Sequence, residues 1–255
     1  MDANAVRAAL EEKAQPEKSA KLKRYFKAGR GGYTERETFL GVPMAEQRRI
    51  AKTHSHISSR ETIRLLQSRV HEHRLTALLI MTEHYRKAPD QKTRHGIHRT
   101  YLAHMRRINN WDLVDTTAPV LIGEHLLHKK DRRVLYKLAR GTLWEKRAAM
   151  VATKTFIKHG ETEDAFRLAE IFLPEQQDLM HKAVGWMLRE VGKHIGIATE
   201  EEFLKKHHKD MPRTMLRYAT ERFPPEKRKK YVNGNHSLTK AKVTHPPAYR
   251  SIGGT

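Results

Sequence analysis

An indole and a carboxylate stand four residues apart in the run Ile108-Asn109-Asn110-Trp111-Asp112-Leu113-Val114-Asp115. Asn110 is suited to cap a helix that begins at Trp111, which puts Asp115 one turn further along the same side. The chain around them carries 50 Lys and Arg against 29 Asp and Glu, a formal charge of +21. A carboxylate beside an aromatic plate on so cationic a body suits the stabilisation of positive charge developing on a substrate held in nucleic acid. The same spacing also fits a plain capped helix with a buried Trp and a solvated Asp, since most aromatics at helical spacing belong to the core.

Trp186 poses the same choice. Over residues 176–193, Leu179, Ala183, Val184, Met187, Leu188 and Val191 form an apolar stripe, while Lys182, Trp186, Arg189 and Lys193 share another side. A half-buried Trp on a solvated face is one reading. The other is phosphate anchoring combined with stacking on a sugar or base, which needs an aromatic between cations. Over 143–159, Trp144, Ala148, Val151, Ala152 and Phe156 point inward, with Arg147, Lys154 and Lys158 opposite. Trp144 is assigned to the core.

The elements that position these side chains are helices. Apolar residues recur at three- and four-residue spacing over 3–28, 45–54, 59–68, 71–87, 90–107, 111–128, 131–140, 143–159, 163–172, 175–193, 200–208, 211–222 and 225–232. No stretch alternates with period two, so the expected fold class is all-α. Thr142-Leu143-Trp144-Glu145 reads as a capping box. Arg74 and Arg147 lie 73 residues apart, about twice the 35 between Arg147 and Lys182; Arg217 lies a further 35 on, and Trp111 falls near the middle of the first gap. A repeat of roughly 35 residues built from paired helices suggests a HEAT-like solenoid whose equivalent positions line one wall. Arg74, Trp111, Arg147, Lys182 and Arg217 would occupy that wall. An irregular helical bundle would give the same mean spacing.

Composition narrows the partners. The positive field attracts phosphate polyanions, and no apolar run reaches the length of a membrane span. The absence of cysteine excludes disulfides, thiolate metal sites and a Cys nucleophile. The 17 histidines are scattered, and pairs such as His54/His56, His71/His73 and His207/His208 lack a carboxylate framework, so they read as surface residues rather than metal ligands. The N-terminal MDANAVRAALEEKAQ has no apolar signal core, which points to a cytoplasmic location. Residues 1–232 are expected to form the helical domain. Residues 233–255, with Gly, Pro and few apolar residues, are expected to be a basic, poorly ordered tail.

Four segments in order resemble one family. Tyr25-Phe26-Lys27-Ala28-Gly29-Arg30-Gly31-Gly32-Tyr33 with Phe39-Leu40-Gly41-Val42-Pro43, then Ile108 to Asp115, then Arg147 in WEKRAAMVA, then Trp186 and Arg189 in KAVGWMLREVGK are similar to the motifs of AlkD-type DNA alkylation repair proteins. The resemblance covers about residues 20–232. It implies a right-handed arc of antiparallel helical pairs (HEAT-like repeats) that binds double-stranded DNA, and monofunctional glycosylase action on cationic alkylpurines such as N3-alkyladenine and N7-alkylguanine, without base flipping. It further implies that Trp111 and Trp186 pack on the lesion's deoxyribose, that Asp115 faces the anomeric carbon and the attacking water, and that Arg147 is the catalytic-site arginine. Arg189 matches a phosphate contact, and Lys154 lies one position from another. Tyr25, Arg74 and Lys182 complete the expected DNA-binding set. No metal or cofactor is implied, and a monomer is expected. A non-catalytic, HEAT-like nucleic-acid scaffold is the alternative that charge and repeat alone would support; it has no use for Asp115.

Overall fold

The computed structural model describes residues 2–26 and 37–233. Through them run α1 (Ala3–Glu12), α2 (Pro16–Tyr25), α3 (Met44–Thr53), α4 (Ser59–Leu66), α5 (His71–Lys87), α6 (Gln91–Ala103), α7 (Trp111–Ala118), α8 (Arg133–Leu138), α9 (Leu143–Lys158), α10 (Glu163–Ile171), α11 (Asp178–His194), α12 (Ile197–His207), α13 (Arg213–Ala219) and α14 (Pro225–Asn233). Among the described residues there is no strand, only an isolated bridge from Thr38 to Val70. The fold is all-α.

Local chemistry sets the ends. Asn110 caps α7 and accepts from the Trp111 N–H at 2.7 Å. Thr142 and Glu145 close the expected capping box on α9. The single helix expected over 3–28 is instead two, because Pro16 can start a helix but not continue one: α1 stops at Glu12 and Pro16 opens α2. The helix expected over 111–128 also changes character midway. Pro119 brings no N–H to the preceding turn, and the backbone widens into a π turn over Pro119–Glu124. Asp115 sits on the last regular turn before it.

The packing is that of paired helices stacked in a row. Helices α5, α7, α9, α11 and α13 each touch the next, while α6, α8, α10, α12 and α14 pack against one or two members of that row. The row helices begin at residues 71, 111, 143, 178 and 213, which is the repeat seen in the sequence. One continuous apolar core links the two layers, with Leu78, Leu113, Ala148, Val184 and Leu216 fully buried along it. Two glycines permit close approach. A Cβ on Gly185 of α11 would lie 2.4 Å from the Met215 carbonyl of α13, and one on Gly123 would lie 2.6 Å from the Ala152 carbonyl of α9. The tail expected over 233–255 lies outside the described residues, apart from Asn233 at the end of α14.

Candidate active site

The row helices present one residue each in the same register. The fifth residues of α5, α7, α9, α11 and α13 are Leu75, Asp115, Arg147, Lys182 and Arg217, and all five line a single open groove of about 3350 Å³. Arg74 is therefore one residue out of register with the wall it was expected to join. One residue is about 100° of helix rotation, and it turns Arg74 inward, 3% exposed, with its Nη2 2.5 Å from Glu37 Oε1. Arg74 is therefore placed away from the groove lining and paired with Glu37, unlike the other members of the expected wall. The groove carries 15 Lys and Arg against six Asp and Glu among the described residues. It also holds Tyr25, Trp111, Lys154, Trp186 and Arg189.

Asp115 and Arg147 form a two-pronged ion pair across neighbouring repeats. Arg147 Nε donates to Asp115 Oδ1 at 2.8 Å and Nη2 to Oδ2 at 2.7 Å. The third nitrogen of the fork donates to the Leu179 carbonyl of α11, so the guanidinium bridges three repeats. This geometry fixes the carboxylate plane. The side chain of Asp115 is 15% exposed and that of Arg147 is 6%. Burial raises the Asp115 carboxyl above the usual carboxylate range, and the charge of Arg147 works against that rise. The result is an anion that is nearly dry, paired, and open to the groove on one side.

Trp111 belongs to an aromatic cluster at the other end of the same helix turn. Phe26 lies 5.2 Å from Trp111 and 5.0 Å from the ring of His71, Phe39 lies 4.9 Å from His71, and Tyr25 meets Trp111 edge-on at 5.7 Å. Beneath these rings His71 joins two carboxylates: Nδ1 is 2.8 Å from Glu37 Oε2 and Nε2 is 2.7 Å from Asp112 Oδ2. Burial alone would depress this imidazole, but Asp112 and then Glu37 outweigh it and push His71 up to about 9. His71 is thus a buried imidazolium that ties the start of α5 to the start of α7. The neighbouring Glu72 accepts from the Leu40 and Gly41 N–H groups, and Gly41, at φ 84°, sits where a Cβ would lie 2.2 Å from the Gln15 carbonyl. Segment 37–43 is pinned to α5 from both sides.

Trp186 is half-buried on α11. Its Nε1 donates to Glu190 at 3.1 Å, and Lys154 Nζ from α9 stands 4.6 Å over its ring. Lys154 and Arg189 are the twelfth residues of α9 and α11, so they too share a register. Arg189 pairs with Glu221 and Lys182 with Asp178 at 2.8 Å. The residues that sequence reasoning missed are His71 and its two partners, Asp112 and Glu37. His71 and His73, read as surface residues, are 2% and 4% exposed. The signal was available in part: Asp112 sits inside the motif, but its partners come from 41 and 75 residues away, beyond the reach of spacing arguments. Residues 27–33 of the Tyr25–Tyr33 run lie outside the described residues. Among the described residues no three His, Asp or Glu are grouped to hold a metal ion, and no helix is long and apolar enough to cross a membrane.

Fold and site together define a helical-repeat protein with a cationic groove built around a paired carboxylate. Residues 6–223 match the family of DNA alkylation repair enzymes, and the chain belongs to that family. A solved structure described as a predicted DNA alkylation repair enzyme from Enterococcus faecalis shares the fold: TM-score 0.65 at 17% identity, over 84% of this chain and 98% of that one. Comparison with curated proteins gives no match.

Proposed function

We propose that this protein is a monomeric, monofunctional DNA glycosylase that releases cationic alkylpurines from duplex DNA without extruding the damaged nucleotide. The observation that carries this reading is Asp115: a largely buried, oriented carboxylate in the wall of a groove that is otherwise strongly cationic. A surface built only to hold a polyanion gains nothing from an anion at that position, whereas a reaction that develops positive charge does.

An N3- or N7-alkylated purine already bears a positive charge. When its glycosidic bond breaks, the bonding pair moves to the ring nitrogen and the base departs neutral, so no general acid is required. The charge passes to the deoxyribose as an oxocarbenium ion. Asp115, held by Arg147, opposes that charge in a partly water-excluded site, where the interaction is stronger than in bulk water. The indoles of Trp111 and Trp186 would flank the sugar. The face of Trp186 already accommodates a cation, the Lys154 ammonium, which supports a role in favouring the charged sugar over the neutral one. Water then adds at the anomeric carbon, and its proton leaves to Asp115 or to solvent. Tyr25, Lys182, Arg189 and Lys154 are proposed to hold the flanking backbone, with Arg189 exchanging Glu221 for a phosphate.

The test is release of free 7-methylguanine from a duplex containing that lesion, with wild type and Asp115→Asn side by side. Wild type should release the base; the variant should be slower by about 100-fold or more, the scale of losing a preorganised electrostatic group. Its DNA affinity should be unchanged or higher. An Asn variant as active as wild type removes Asp115 from the chemistry.

A further inference from the structure

Beside the groove, α6 and the π turn after α7 carry a second set of titratable side chains, of which His125 and, just beyond the turn, Lys129 line the groove. His98 and His125 stack with centroids 4.1 Å apart and planes 17° from parallel. His95 lies 5.5 Å from His125, with its Nδ1 3.4 Å from His125 Nε2. Lys129 Nζ is 2.6 Å from that same Nε2, and the Tyr85 hydroxyl is 3.4 Å from Nδ1. An ammonium can only donate, so His125 Nε2 accepts and the ring is neutral with its proton on Nδ1. His98 donates from Nδ1 to the Leu121 carbonyl at 2.7 Å.

The surroundings are short of negative charge. Arg94 of α6 stands 5.7 Å over the Tyr85 ring of α5. From α9, Lys158 and His159 border the same groove, and Glu124, on the π turn itself, is the carboxylate beside the cluster. Burial, then the charges of His98, Lys129 and His95, hold His125 down to about 3. Apolar side chains would fill this space without the cost of crowding three imidazoles and two cations. At His125 a metal is disfavoured by the geometry, because the Lys129 ammonium occupies the free lone pair of the ring.

We propose that this cluster is a proton-linked phosphodiester site, in which a DNA phosphate settling against Lys129 and His95 is accompanied by uptake of a proton from solvent onto the imidazole stack. The inference rests on the groove holding duplex DNA. Before DNA arrives, burial and then the neighbouring charges keep His125 neutral, which limits self-repulsion. The phosphate supplies the missing anion, the imidazoles gain proton affinity, and the protonated ring adds a charge-assisted contact. Binding at this wall therefore tightens as pH falls, through histidines rather than through a fixed Lys or Arg.

The experiment is a titration of an undamaged, fluorescently labelled duplex by anisotropy at constant ionic strength between pH 5.5 and 8.5. Wild type, His125→Gln and the surface-exposed His95→Gln are compared, with thermal melting as the check that each is folded. Calorimetry in buffers of different ionisation enthalpy counts the protons taken up. Wild type should gain more affinity than either variant between pH 8 and pH 6, by at most about tenfold per pH unit, the limit for one linked proton. Calorimetry should show a proton uptake that the variants reduce. If His125→Gln and His95→Gln keep the wild-type pH slope and proton count while still binding DNA, the site is overturned and the groove reading stands. If wild type binds no duplex at any pH, the groove reading fails and the site with it.

Discussion

Replacing His71 by Gln should change the pH dependence of stability in a defined window. The imidazole is 2% exposed and bonded to Asp112 and Glu37 at 2.7 and 2.8 Å, which pushes it up to about 9 in the folded protein. The unfolded chain returns it to about 6.5. A folded value raised above the unfolded one stabilises fully below pH 6.5 and is lost as pH rises through 9. The difference, at 1.36 kcal/mol per unit, is about 3 kcal/mol. In the variant, two carboxylates face an amide, with Arg74 the remaining cation of the pair network, and breaking such a buried arrangement costs about 3–5 kcal/mol at low pH. Urea unfolding at half-unit pH steps from 6 to 10 measures this directly. Wild type should lose about 3 kcal/mol more than His71→Gln between pH 6.5 and 9.5. Glu200, buried and pushed up to about 8, also erodes stability as pH rises from its unfolded value, but equally in both proteins. His73 and His125, held down to about 4 and about 3, act below pH 6.5 instead. Parallel curves for wild type and variant would refute the buried imidazolium.

Two further outcomes follow from the groove. Arg189→Ala should weaken DNA binding and flatten the logarithmic salt dependence by about one unit, the share of one phosphate; an unchanged slope takes Arg189 off the backbone. Arg147→Gln removes the counter-ion of Asp115, so its carboxyl rises further and takes a proton more readily. Base release by this variant should be low at pH 7 and recover in part toward pH 9, whereas Asp115→Asn should not recover; a pH-independent defect would show that Arg147 does not act through the charge of Asp115.

How far the molecule was legible in its sequence depended on the range of the interaction. Helix existence, the Asn110 cap and the Thr142–Glu145 box are decided within four residues, and the sequence pattern reached them. So did the repeat, because each pair of helices must bury its apolar face against the next. The register was less accessible. Arg74 looked equivalent to Arg147 by counting, yet α5 begins three residues before it and α9 four residues before Arg147, and that single residue decides between groove and core. The histidine error has the same origin: alternate residues on a helix face different ways, but at the start of α5 both faces are covered, His71 by Phe26 and Phe39 and His73 in the core layer. The π turn at Pro119 was signalled by the proline, although its outcome depended on α9 accepting it, through the Thr155 hydroxyl donating to the Pro119 carbonyl at 2.7 Å.

The arrangement of the fifth residues explains why a carboxylate can be kept in so basic a groove. Along the row the position passes from Leu75 to Asp115, Arg147, Lys182 and Arg217. A cation at the second place would, on the proposed reaction, repel a positively charged lesion and the oxocarbenium ion derived from it. An unpaired aspartate there would be driven to protonate by burial and would lose its charge. Pairing with the next position solves both problems. Arg147 counters the rise in Asp115's proton affinity, orients its oxygens, and is itself fixed by the Leu179 carbonyl. The repeat thus supplies the stabilising partner for its one anionic member, and an otherwise cationic groove keeps an anion where the proposed reaction would develop positive charge.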